Sequence, residues 1–114
     1  MSKDDGYTLD MLNAARKLTR RFPGVTRAAF EQSDDLQCFA FWVITVVGEA
    51  AGKVSPEFRR EHPEVPWREA TAMRNVRIHQ YAKIDLDRVW AAVTVSAPRL
   101  VRTLEPLVPP ESKS

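Results

Sequence analysis

The sequence predicts an all-α protein, an up-and-down bundle of four to five helices. Three observations predict it. Apolar residues recur at three- and four-residue spacing in one segment after another. Residues that start and stop helices punctuate those segments. The β-branched cluster at Val43 to Val47, which could form a strand, finds no second strand to pair with elsewhere in the sequence. With 114 residues the chain can bury one core but has no room for a separate substrate domain. Residues 1–114 are therefore expected to form a single domain, with a frayed tail over 108–114 where Pro109-Pro110 leads into a polar end.

The elements follow in order. From Thr8 to Phe22 the residues Leu9, Met11, Leu12, Ala15 and Leu18 make an apolar stripe, and Arg16, Lys17, Arg20 and Arg21 place cations toward the helix C-terminus. Pro23-Gly24 ends this helix. A short helical piece covers Thr26 to Phe30. Asp34 and Asp35 can cap a third helix through Leu36, Phe39, Trp42, Val43, Val46 and Val47 to about Gly52, and its nearly all-round apolar character marks it as the central, most buried helix. Ser55-Pro56-Glu57 opens a short helix with a cap and an N1 proline, and His62-Pro63 closes it. The next helix starts at Pro66-Trp67 and is expected to run to about Tyr81. Asp85 caps the last, which carries Leu86, Val89, Trp90, Val93 and Val95, and Pro98 should kink or divide it before Leu100 to Leu107.

Composition excludes several classes. A hydrophobic content of 44% and a charged content of 28% argue against both wholesale disorder and a membrane-embedded body. The longest apolar run, Cys38 to Val47, is about half of what a bilayer crossing needs, and no signal-peptide run stands at the N-terminus, so the expected location is the cytoplasm. The single cysteine, Cys38, allows no intrachain disulfide and reads as a small buried hydrophobe. His62, in a proline-flanked loop, reads as structural. With His79 seventeen residues away and one cysteine, the chain makes a poor case for zinc, and no metal or cofactor is expected. Twelve of the seventeen cationic residues are arginine, which permits phosphate binding without requiring it.

The chemistry is concentrated between Arg74 and Tyr81, where eight residues hold Arg74, Asn75, Arg77, His79 and Tyr81. On one helix Asn75 and His79 would share a face, so the amide could fix the imidazole tautomer, with Arg77 beside them. Arg74 and His79 would be roughly 140° apart, awkward for gripping one phosphate within one chain. The geometry improves if the long arginine side chain wraps toward His79, or if two chains packed across a two-fold each bring an arginine and a histidine into a shared cleft, and a homodimer is expected. Such a cleft suits transesterification of RNA, the imidazole moving protons and the guanidinium stabilising charge on phosphorus. The same residues fit other readings: Arg74 could pair with Glu69 or Asp85, or a noncatalytic module could use Arg74 for phosphate and Trp67 or Tyr81 for stacking.

Arg74, four residues, His79, one residue and Tyr81 resemble the signature of the HepT-like toxins of the HEPN superfamily. Val47-Gly48-Glu49-Ala50-Ala51, His62-Pro63-Glu64-Val65-Pro66-Trp67, Met73-Arg74-Asn75 and Ile84-Asp85-Leu86-Asp87-Arg88-Val89-Trp90 resemble further blocks of that family in order and spacing, from about Leu9 to Leu107. The resemblance implies an all-helical, homodimeric, metal-independent endoribonuclease toxin with Arg74 and His79 catalytic. It also implies an MntA-like nucleotidyltransferase antitoxin that silences the toxin by adenylylating Tyr81. The chain departs from the family at Gln80, where aspartate or glycine is frequent, at Ser33, where aspartate is common, at Arg77, often aliphatic, and at Trp42, commonly polar and expected to narrow the cleft.

Overall fold

The computed structural model describes residues 2–76, 78–79 and 83–108, with the backbone alone at 78, 79 and 83. The all-α expectation holds. Helices α1 (Lys3–Arg21), α2 (Arg27–Glu31), α3 (Asp34–Lys53), α4 (Pro56–Glu61) and α5 (Trp67–Ala72) are followed by a 3₁₀ turn at Met73–Asn75. After a short antiparallel pair, β1 (Ile78–His79) with β2 (Lys83–Ile84), come α6 (Leu86–Ala91), a π segment at Ala92–Ser96, α7 (Ala97–Leu104) and a 3₁₀ turn at Glu105–Leu107. Among the described residues, no helix is long and apolar enough to cross a membrane.

Local chemistry fixes the helix starts. Ser2 and Asp5 form a reciprocal capping box, each accepting a backbone N–H from the other at 3.1 Å, so α1 begins ahead of the expected Thr8. Ser33, Ser55 and Asp85 cap α3, α4 and α6 with their side-chain oxygens. The cap of α3 is thus Ser33, and Asp34 and Asp35 occupy its first turn, where they face the positive end of the helix. At the end of α1, Gly24 takes φ 81°, and the Val25 N–H donates to the Phe22 carbonyl at 2.9 Å. That closes a tight turn with proline at its second position and glycine at its third.

The core forms where α1 packs on α3 and α7, and where α3 in turn meets α5, the 3₁₀ turn after it, α2 and α6. Met11, Leu12, Leu18, Ile44, Val47, Leu100 and Leu104 are buried there. Phe22, Phe30 and Trp90 pack with ring centroids 5.2–6.4 Å apart and hold α2 to α6. Burying Phe30 completely gives this cluster most of its value, and Arg27 adds an exposed ion pair to Asp87 at 2.6 Å, worth little by comparison.

Three expectations need correction. The helix opened by Trp67 ends at Ala72 instead of about Tyr81, and the chain leaves through the 3₁₀ turn into extended structure. Val76, Ile78 and Ile84 are β-branched, and Ile78 pairs with Ile84, so extended backbone wins over the helical spacing that Ala72, Met73 and Val76 continue in the sequence. Cys38 is exposed, because it lies on the outward line of α3 with Trp42 and Glu49. The last helix is divided between α6 and α7 as expected, with Pro98 in the first turn of α7, but the division is not at the proline itself. The register change falls upstream, where the Ala97 N–H reaches the Ala92 carbonyl in a π turn, and this accommodates the N–H that proline lacks.

Asp4 ties the first turn of α1 to the start of α4. Its carboxylate accepts the Ser55 N–H at 2.8 Å and the Ser55 hydroxyl at 2.7 Å. The backbone hydrogen bond from Ser55, then the hydroxyl one, hold its carboxyl below the ordinary range. A carboxyl lowered in the folded state stabilises the fold above about pH 4 and loses that contribution as pH falls through the lowered value. Asp4→Asn should cost about 1 kcal/mol at pH 7 after allowance for solvent screening, and close to nothing at pH 2. Urea unfolding at both pH values checks this, and an equal cost at each would show that charge is not the cause.

Candidate active site

The site is built on the turn after α5. Met73 and Val76 are buried and anchor the 3₁₀ turn, which leaves Arg74 and Asn75 between them exposed. The turn lies directly on α3. A Cβ placed on Gly48 would sit 2.6 Å from the Arg74 Cβ and 2.8 Å from its Cα, and closer still to its backbone nitrogen. One helical turn further on, a Cβ on Gly52 would sit 2.5 Å from the Arg74 Nη1 and 3.5 Å from its Cζ. Arg74 therefore lies along the strip of α3 that two glycines leave bare, backbone over Gly48 and guanidinium over Gly52.

Neighbouring groups crowd the same end of α3. Arg59 of α4 donates from Nη2 to the Ala51 carbonyl at 2.7 Å. Glu69 accepts from the Ser96 hydroxyl and pairs with Arg99 at 3.1 Å, so it is engaged on the far side of α5. Among the described residues no ion pair joins Arg74 to Glu69, and the salt-bridge reading of Arg74 through that residue falls away. Trp67 is buried and donates its indole N–H to the His62 carbonyl at 2.9 Å, so it offers no stacking face. His62 itself is structural: its ring packs on Phe58 at 4.5 Å and it caps α4.

The other expected site residues separate. Asn75 belongs to the 3₁₀ turn and His79 to β1, so the shared helical face expected for them does not exist, and neither does the 140° separation of Arg74 from His79. Only the His79 backbone is described, paired with Lys83. Arg77, Gln80 and Tyr81 lie outside the described residues. Trp42 is 59% exposed and lines a second groove of ≈ 390 Å³ between α1 and α3. That groove mixes Lys17 and Lys53 with Asp10 and Glu49, and Lys17 sits 5.6 Å over the indole. Six residues from Gly48, Trp42 points about 120° around α3 from the glycine strip, away from Arg74.

The matching family, described as ribonuclease HepT-like, spans residues 11–107. The chain belongs to the HepT-like ribonuclease family. It is similar to a Methanocaldococcus jannaschii protein named as a candidate RNase, 27% identical over 92% of this chain and 98% of that one. It also resembles a candidate RNase of Caldanaerobacter subterraneus, 26% identical over 92% of this chain and 94% of that one. A Thermococcus cleftensis protein named as a ribonuclease HepT is 38% identical over 56% of this chain and 58% of its own length. No solved structure gives a significant match.

The sequence singles out Arg74 within its densest stretch of polar chemistry but does not announce what holds it. Gly52 read as the end of a helix and Gly48 as part of a block, although two glycines four apart on a buried helix signal a close approach. Gly48→Ala should destabilise the protein by about 1–3 kcal/mol, because the added methyl meets backbone. Gly52→Ala should change stability by less than about 1 kcal/mol, because only the movable end of Arg74 must shift. Chemical denaturation of both variants checks the contrast, and equal losses would mean that the turn does not rest on Gly48 as described.

Proposed function

We propose that this ribonuclease cuts RNA by metal-independent transesterification and acts as the toxin of a toxin–antitoxin pair. The observation that carries the reading is Arg74, an exposed guanidinium held against α3 by two glycines, in a chain of this family whose sequence continues to His79 and Tyr81 at the signature spacing. In the proposed step the 2′-oxygen of a ribose attacks the adjacent phosphorus, the 5′-oxygen leaves, and a 2′,3′-cyclic phosphate remains. His79 moves the proton, taking it from the 2′-hydroxyl or giving it to the departing oxygen. Arg74 stabilises the charge on the phosphoryl oxygens. Asn75 and Arg77 support the site.

In the same reading the protein is a cytoplasmic homodimer with the active site at the cleft between protomers, each contributing an arginine and a histidine. A cognate MntA-like nucleotidyltransferase serves as antitoxin by adenylylating Tyr81. A nucleotide on that phenol, two residues from His79, would fill the cleft and repel the phosphodiester. The burial of Trp67 removes one of the two stacking platforms that a noncatalytic nucleotide-binding module would use.

Controlled expression of wild type, Arg74→Ala, His79→Ala and Tyr81→Phe, followed by RNA cleavage with purified protein in chelator, tests the proposal. Wild type should arrest growth and cut RNA. Losing His79 should cost roughly 10²–10⁴ in rate and losing Arg74 roughly 10²–10³, whereas Tyr81→Phe should escape the antitoxin. Equal cleavage by all four proteins would make the motif structural, and no cleavage by any of them would move the reading to the binding module.

A further inference from the structure

A second concavity adjoins the Arg74 turn. It is a shallow groove of ≈ 500 Å³ between α4 and α5, lined by Arg59, Trp67, Arg68, Thr71, Ala72 and Asn75. Its lining holds two arginines and no acid. Among the described residues none of Arg59, Arg68 and Arg74 is in an ion pair, although the chain carries fifteen carboxylate side chains. In a protein of such balanced charge, three arginines left without acids along one edge form a local cationic field.

Two polar atoms of this lining are also left over. The Arg59 Nε and the Thr71 Oγ1 are buried and have no hydrogen-bond partner. Neither atom is open to solvent as the groove stands, and an orphaned buried polar atom costs about 1–3 kcal/mol, so a small opening of the groove that brings an outside acceptor to them is favoured. Asn75 adds an exposed amide at the rim.

The groove is continuous with the proposed active site. Arg59 binds the carbonyl of Ala51, and the Arg74 guanidinium lies over Gly52, the next residue of α3. Standard backbone dimensions then keep the two guanidinium groups within about 10 Å of each other. An RNA strand with one phosphate at Arg74 has a neighbouring phosphate at that range.

We infer that the α4–α5 groove, with Arg59, Arg68, Thr71 and Asn75, is a phosphate subsite that holds the single-stranded RNA next to the phosphodiester bound at Arg74. The inference rests on the ribonuclease reading of Arg74. The flanking phosphate accepts hydrogen bonds from the arginines, from the Thr71 hydroxyl and from the Asn75 amide, which fixes the strand without reading its bases. The α1–α3 groove is the poorer candidate, because its two lysines face two acids.

Binding of a single-stranded RNA oligonucleotide, measured by fluorescence anisotropy across a salt series in the His79→Ala background, tests the subsite. Arg68→Ala should weaken binding about fivefold and lower the salt slope by about 0.7. Thr71→Val, which keeps the shape and charge, should weaken binding about threefold while thermal stability holds or rises, because a buried orphan hydroxyl has gone. A merely structural Thr71 would not move the two readouts in opposite directions. Affinity within twofold of the background and an unchanged slope for Arg68→Ala overturn the subsite. Weakening by Arg68→Ala alone, with none by Thr71→Val, is a general charge effect and overturns it as well. Failure of the ribonuclease reading of Arg74 looks different: wild type then cuts RNA no faster than the His79→Ala and Arg74→Ala proteins.

Discussion

The contact on which the rest of the site depends is backbone against backbone. The turn after α5 lies so close on α3 that Gly48 has no space for even one methyl group. Every other choice at this end of the molecule follows. The α5 helix must stop at Ala72 so that the 3₁₀ turn can drop onto α3, and Met73 and Val76 bury themselves on either side to hold it there. Arg74, projecting from a turn fixed in this way, finds its guanidinium laid over Gly52. On the proposed reading Arg74 is a catalytic group, which loses rate quickly when misplaced by an ångström, and rigid backing by a glycine strip meets that demand.

The remaining elements hold α3 still. The α1 helix packs along it and is backed in turn by α7, Phe30 and Trp90 hold α2 and α6 together, and Asp4 links the starts of α1 and α4 through Ser55. Arg59 closes the arrangement by taking up a carbonyl at the end of α3, where the last turn of a helix leaves acceptors unsatisfied. One side chain thus caps α3 and reaches the groove beside Arg74.

Most of the fold could be read from the sequence because it is written in local chemistry. Ser55-Pro56, Asp85 and Pro23-Gly24 each act through their own backbone, and the apolar spacing of α1 and α3 needs no knowledge of partners. The end of α5 could not be read in this way. Ala72, Met73 and Val76 keep helical spacing, and what stops the helix is the fit of the turn on Gly48, twenty-four residues upstream of Ala72. Cys38 misled for a related reason: inside an apolar run its outward phase shows only once the partners of α3 are known. The Arg74 signature was legible through resemblance, whereas Arg59, Arg68 and Thr71 come together only when α4 folds against α5, and no spacing in the sequence announces that.

The exposure of Cys38 has a practical side. This sole thiol lies one helical turn from Trp42, on the same outward line of α3. That line of α3 therefore carries both a unique attachment point and one of the chain's three indoles. Cys38 stands ten residues before Gly48, roughly 15 Å along the helix axis, so a dye on the sulfur can register whatever covers the start of α3 at a distance from the turn that carries Arg74.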